Sequence, residues 1–129
     1  MAKTARDLTR DELKSYRPWQ NLERYRKDAE VARRREIAWG VAEKASRLLK
    51  EQYQATRVIA FGSLAHQAWF TPWSDVDLAV WGAPPKLYYK AFGAVFDLGL
   101  EAGIEVDMLD ASECSPEVLK SIEKEGVEV

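Results

Sequence analysis

One cysteine and one histidine in 129 residues leave little room for several kinds of chemistry. Cys114 has no second cysteine for an internal disulfide, and with His66 the sole histidine there is no His/Cys set at zinc-ligand spacing. No apolar run approaches the ~20 residues that span a bilayer. The opening Met1-Ala-Lys-Thr-Ala-Arg6 lacks the apolar segment of a secretory leader, so no membrane contact and a cytoplasmic location are expected. Internal repeats and low-complexity linkers are also missing. With 47% hydrophobic and 31% charged residues, the chain has the composition of one ordinary globular domain with a buried core. Any metal site must then be built from carboxylates and take a hard cation.

Charge is unevenly spread. Residues 1–57 carry 15 Lys and Arg against 9 Asp and Glu, whereas residues 58–129 carry 4 against 12. The basic half has no interleaved aromatics of the kind that stack on single strands, so direct nucleic-acid binding is not expected. An acidic partner stays open beside the simpler reading of solvated helix faces with internal pairing.

Thr9-Arg-Asp-Glu12 fits a capping box that opens a short helix, closed by Pro18. From Trp19 to about Tyr53 the apolar residues fall at helical spacing, which predicts one long helix or two broken near Gly40. Up to Arg35 this stretch is thinly apolar, and it is expected to project and find contacts in another chain. Residues 1–54 are accordingly read as an N-terminal helical extension and 55–129 as the core domain. Strands are predicted at 56–62, from about Val76 to Trp81, and at Ile104–Leu109. Between them lie a short helix or turn from Ser63 to Trp69 and a helix over Lys86–Glu101 with Leu87, Tyr88, Ala91, Val95 and Leu98 inward. Ser115-Pro116-Glu117 starts a last helix that stops before Gly126. The expected fold is α/β (α+β): a small mixed sheet with helices on one side, preceded by the long helical extension.

The chemistry is concentrated in three places. Thr56-Arg-Val-Ile-Ala-Phe-Gly62-Ser63 reads as a buried strand ending in a glycine, whose missing Cβ lets backbone approach a ligand, followed by a hydroxyl. In Asp75-Val76-Asp77-Leu78 the strand period places both carboxylates on one face and the apolar pair on the other. Asp107 interrupts the apolar run Ile104–Leu109. Carboxylates side by side repel each other unless divalent cations sit between them, so this pattern suggests metal-dependent phosphoryl transfer.

Gly62-Ser63, a spacer, Asp75-x-Asp77 and a distant Asp107 together resemble the signature of the nucleotidyltransferase superfamily related to DNA polymerase beta. The short chain is similar to its minimal members, the MNT antitoxins paired with HEPN toxins. The resemblance covers residues 55–110 and implies a nucleotidyltransferase-like fold. It further implies two Mg2+ ions held by Asp75, Asp77 and Asp107 as catalytic carboxylates, and ATP as substrate with its phosphates on Gly62 and Ser63. Where the family commonly has Gly-Ser-x-Ala-Arg-Gly, this chain reads Gly62-Ser-Leu-Ala-His66-Gln67.

The function so implied is that of an antitoxin which transfers AMP from ATP to a hydroxyl, preferentially tyrosine, of a HEPN ribonuclease toxin, within a heteromeric complex around a toxin dimer. Two alternatives stay open: neutralisation by masking without catalysis, and nucleotidyl transfer to a small molecule or RNA. Trp69, Phe70 and Trp73 offer aromatic faces for a base or a partner, or caps for the core. Lys86, Tyr88 and Lys90 are candidates to approach phosphate, and Cys114 is expected to be a small buried or half-buried residue without a role.

Overall fold

A computed structural model describes residues 18–66, 71 and 74–129 of this chain. The capping box at Thr9 and the residues Gln67, Trp69, Phe70 and Trp73 lie outside the described residues. Pro18 is the first residue of a helix, α1 (Pro18–Gln52), where its fixed φ and missing N–H suit the first turn. Gly40 does not break this helix. A Cβ there would meet nothing within 4 Å, so the glycine costs helix propensity and little else.

Two compact units divide between Glu30 and Val31. In the first, Pro18–Glu30 is helical, and Asp28, Ala29 and Glu30 are exposed. The second, Val31–Val129, joins the rest of α1 to the sheet. The reason lies in the stripe Ala38, Val41, Ala42, Ala45 and Leu49, all buried in the main core. These side chains are small, yet their i, i+3, i+4 and i+7 spacing gives the helix one continuous packed face. Arg34 and Arg35 are half-buried and bond to the carbonyls of Gly103 and Leu64, so they do not project away from this unit.

After α1 come β1 (Arg57–Phe61), a 3-10 turn (Gly62–Leu64), β2 (Val76–Trp81) and α2 (Pro85–Glu101). Then follow β3 (Val106–Asp110), a second 3-10 turn (Ala111–Glu113), α3 (Pro116–Glu125) and β4 (Val127–Glu128). The sheet order is β3-β2-β1-β4, with β2 and β3 parallel and β1 antiparallel to both β2 and β4. The parallel pair is joined through α2, as a parallel connection requires. No described helix is long and apolar enough to cross a membrane.

The strand period sorts residues onto two faces. Val58, Ala60, Val76, Leu78, Val80, Val106 and Met108 join the main core with α1 and with Ala91 and Val95 of α2. Ile59 and Ala79 face the other way and are covered by Ile122 of α3, so that helix packs on the side opposite α1 and α2 rather than with them. Ser115 caps α3 as expected, its Oγ accepting from the Val118 N–H at 3.3 Å. Arg57 donates to Glu123 and Glu128, at 3.1 Å each, and lies 4.9 Å from the Trp81 ring centroid. It thereby links α3 and β4 to one end of this second face.

Helix and sheet approach closely at Gly99, where a Cβ would collide with the Ile104 carbonyl oxygen and stand 2.6 Å from Val106 Cγ2. Gly99→Ala is therefore expected to lower stability by about 2 kcal/mol, because overpacking outweighs the ~1 kcal/mol that alanine gains in a helix. Urea denaturation of the variant checks this.

Candidate active site

The registers of β1, β2 and β3 align Phe61 with Asp77 and Asp77 with Asp107, one row across three strands. Adjacent strands lie ~4.8 Å apart, so the carboxylates of Asp77 and Asp107 are neighbours on the face opposite the main core. On that face α3 covers the part at Ile59 and Ala79, while Asp77 is half-buried and Asp107 exposed. Asp75 enters just ahead of β2, where the ladder is continued by the Val76 N–H bonding to the Glu105 carbonyl at 3.0 Å. Upstream, the Thr71 N–H donates to the Oγ of Ser74, the residue before Asp75, at 2.8 Å.

Asp77 is the electrostatic centre of this group. Its pKa is pushed up to about 6, first by burial and then by the charges of Asp107 and Asp75. Both of the other carboxylates predicted from sequence thus act on Asp77. They do not form a closed cage: among the described residues no three His, Cys, Asp or Glu side chains are gathered so that they could hold a metal ion. Asp107 is exposed and its Oδ1 accepts from the Met108 N–H at 2.9 Å.

Gly62 ends β1 with φ +72, a conformation that L side chains rarely adopt, and a Cβ there would stand 2.6 Å from Asp77 Oδ2. The predicted glycine is therefore needed to let the turn close over the Asp77 carboxylate. Ser63 follows it, half-buried, and the Ala65 N–H closes the turn on the Gly62 carbonyl at 3.2 Å. Gly62–Leu64 is a three-residue 3-10 turn, too short to supply a helix dipole of useful length. Carboxylate oxygens are the donors that hard divalent cations prefer. Asp75, Asp77 and Asp107 therefore fit such an ion by donor type and charge, and mutual repulsion is the cost that a cation would offset.

Other expectations are redirected. The Tyr88 hydroxyl donates to the Met108 carbonyl at 2.7 Å, a structural bond. Lys86 and Lys90 are exposed on the first turns of α2, which follows the far end of β2 from Asp75 and Asp77. A cavity of about 430 Å3 beside Tyr88, Tyr89, Asp110 and Cys114 lies at that far end, and the carboxylates do not line it. Cys114 is half-buried, its Sγ 3.4 Å from the Asp110 carbonyl, and burial with the charges of Asp110 and Glu113 pushes its thiol pKa up. A thiol so placed is a poor nucleophile.

Two residues near the turn escape a reading of local motifs. Arg35 of α1 donates to the Leu64 carbonyl at 3.2 Å. His66 Nε2 lies 3.5 Å from Glu125 Oε2 at the end of α3. Arg35 is hidden in the charge run Arg33-Arg34-Arg35, which reads as a solvated face, and Glu125 in a helix of alternating charge.

The model of the nucleotidyltransferase domain family matches residues 42–129. No curated protein matches the chain. Among solved structures, a chain of one mutant form of the toxin–antitoxin MntA-HpeT is 21% identical with a TM-score of 0.53, covering 67% of this chain and 70% of that one. A chain of a second mutant form gives 21% and 0.52, covering 67% and 69%. A chain of the Shewanella oneidensis complex of a tri-AMPylated HEPN toxin with MNT antitoxin gives 20% and 0.50, covering 70% of each chain. These likenesses are likenesses of fold.

Proposed function

This chain belongs to the nucleotidyltransferase domain family, and on that basis we propose that it is the antitoxin of a HEPN-type toxin, which it neutralises by moving AMP from ATP onto a toxin hydroxyl, tyrosine above all. The observation that carries this reading is the register row that sets Asp77 beside Asp107, with Asp75 adding its charge and Gly62 closing over Asp77. Asp75, Asp77 and Asp107 would hold two Mg2+ ions. Bound there, such cations neutralise phosphate charge and lower the pKa of the attacking hydroxyl.

The chain's own residues would position and shield. Backbone N–H groups at Gly62 and Ser63, with the Ser63 hydroxyl, would hold the β and γ phosphates. The acceptor oxygen attacks the α phosphorus, the bond to the β-phosphate oxygen breaks, and pyrophosphate leaves. The hydroxyl proton passes to Asp107, the exposed carboxylate on the edge strand. No covalent enzyme intermediate is needed, because positioning and charge stabilisation suffice for phosphoryl transfer. The partner is supported by the fold neighbours, one of which pairs an MNT antitoxin with an AMPylated HEPN toxin. A heteromeric complex around a toxin dimer is the assembly this reading expects.

A second reading, neutralisation by masking, is favoured by one feature: His66, at the position where the family commonly has arginine, is engaged with Glu125. Co-expression with the toxin separates the two. Asp75→Asn/Asp77→Asn is expected to co-purify with the toxin while failing to protect cells. Full protection by that variant would establish masking and overturn the catalytic reading.

A further inference from the structure

Arg35 lies ahead of the family-matching segment 42–129, yet it reaches into the turn that follows β1. Its Nη2 donates to the Leu64 carbonyl, the last carbonyl of the 3-10 turn and one that a helix end leaves without an internal partner. The guanidinium is steered by Trp39, one helical turn along α1, with Cζ 5.8 Å from the ring centroid. Its Nε is buried with no hydrogen-bond partner. An arginine free to swing into water would avoid that cost, so the side chain is held in place by its surroundings. Leu64 is fully buried, and the Ala65 N–H closes the turn on Gly62.

From this geometry we infer that Arg35 is a positioning residue: it fastens the Gly62–Leu64 turn to α1 and so sets where Gly62 and Ser63 meet nucleotide phosphates. The contact stands by itself; its consequence for nucleotide rests on the reading given under Proposed function. The test uses the full chain with Arg35→Gln, Arg35→Met, which keeps a long apolar stem against Trp39, and Arg35→Lys. Hydrogen exchange of the apo protein is expected to quicken about tenfold across residues 62–66 in the Gln and Met variants, with the strands unchanged. In AMP transfer, KM for ATP is expected to rise about tenfold with kcat within about twofold, and Arg35→Lys is expected to recover part of the loss.

Unchanged exchange at residues 62–66 would overturn the inference, as would a fall in kcat with KM unmoved. A rise in exchange throughout the chain in all three variants would make Arg35 merely structural and would overturn it too. If exchange quickens at the turn while the wild-type protein binds no ATP, the positioning role holds and the nucleotidyl-transfer reading fails.

Discussion

Asp77→Asn is expected to abolish function and stabilise the protein at the same time. Transfer should fall about a hundredfold to a thousandfold, the range seen when one preorganised electrostatic group is removed from a reaction centre. Stability moves the other way because Asp77 is held at a pKa of about 6 by burial, then by Asp107 and Asp75, against an ordinary value of 3.8. A carboxyl whose folded-state pKa is raised binds its proton more tightly folded than unfolded. Stability contributed by this group is therefore greatest below pH ~4, declines as pH rises to ~6, and levels off above. The shift corresponds nominally to ~3 kcal/mol, and solvent screening of a half-buried group reduces that to about 1 kcal/mol. Asparagine removes the charge, so at pH 7.5 without divalent cations the variant should melt a few degrees higher than the wild type, and at pH 3.5 the difference should vanish. Melting curves at the two pH values check this; equal melting temperatures at pH 7.5 would mean that burial and the charges of Asp107 and Asp75 do not disfavour the Asp77 carboxylate.

Gly62→Ala should be nearly as damaging, for a steric reason. The left-handed backbone at φ +72 costs an L residue about 1–2 kcal/mol, and the new Cβ would stand 2.6 Å from Asp77 Oδ2. Either the turn or the carboxylate must move, and a displacement of about 1 Å at a reaction centre costs on the order of a hundredfold in rate. The expected result is a loss of about 2–3 kcal/mol in denaturant unfolding together with that loss of transfer. In an Asp77→Ala background the steric part disappears, so Gly62→Ala should then cost only the backbone part. The difference between the two backgrounds measures the contact directly.

The candidate site was legible in sequence as far as its pattern is local. Asp77 alternates with Val76 and Leu78, so a strand had to present carboxylates on one face and core on the other, and the glycine ending β1 marked a close backbone approach. The alignment of Asp77 with Asp107 was not legible, since it depends on the register of two parallel strands joined through α2. Strand β4 was missed because Val127 and Glu128 are too few to show a period. It is specified by pairing with Ile59 and Ala60, and by Gly126, where a Cβ would collide with Ile59 Cγ2 and the Ile122 carbonyl. Gly126 was read only as a helix stop.

The packing of α1 on the sheet was not legible for another reason. Ala38, Ala42 and Ala45 contribute little hydrophobicity each, so the stretch looked like an extension. Small residues instead let the helix lie close on the sheet. The Arg35 contact with Leu64 spans 29 residues of sequence, and nothing within either segment announces the other.

Intact-mass analysis of the HEPN-type toxin after incubation with this protein, ATP and magnesium bears most directly on the proposed activity. The toxin should gain one or more AMP units, and the gain should be absent with Asp75→Asn/Asp77→Asn. An unmodified toxin in a stable complex with the folded wild-type protein would contradict it.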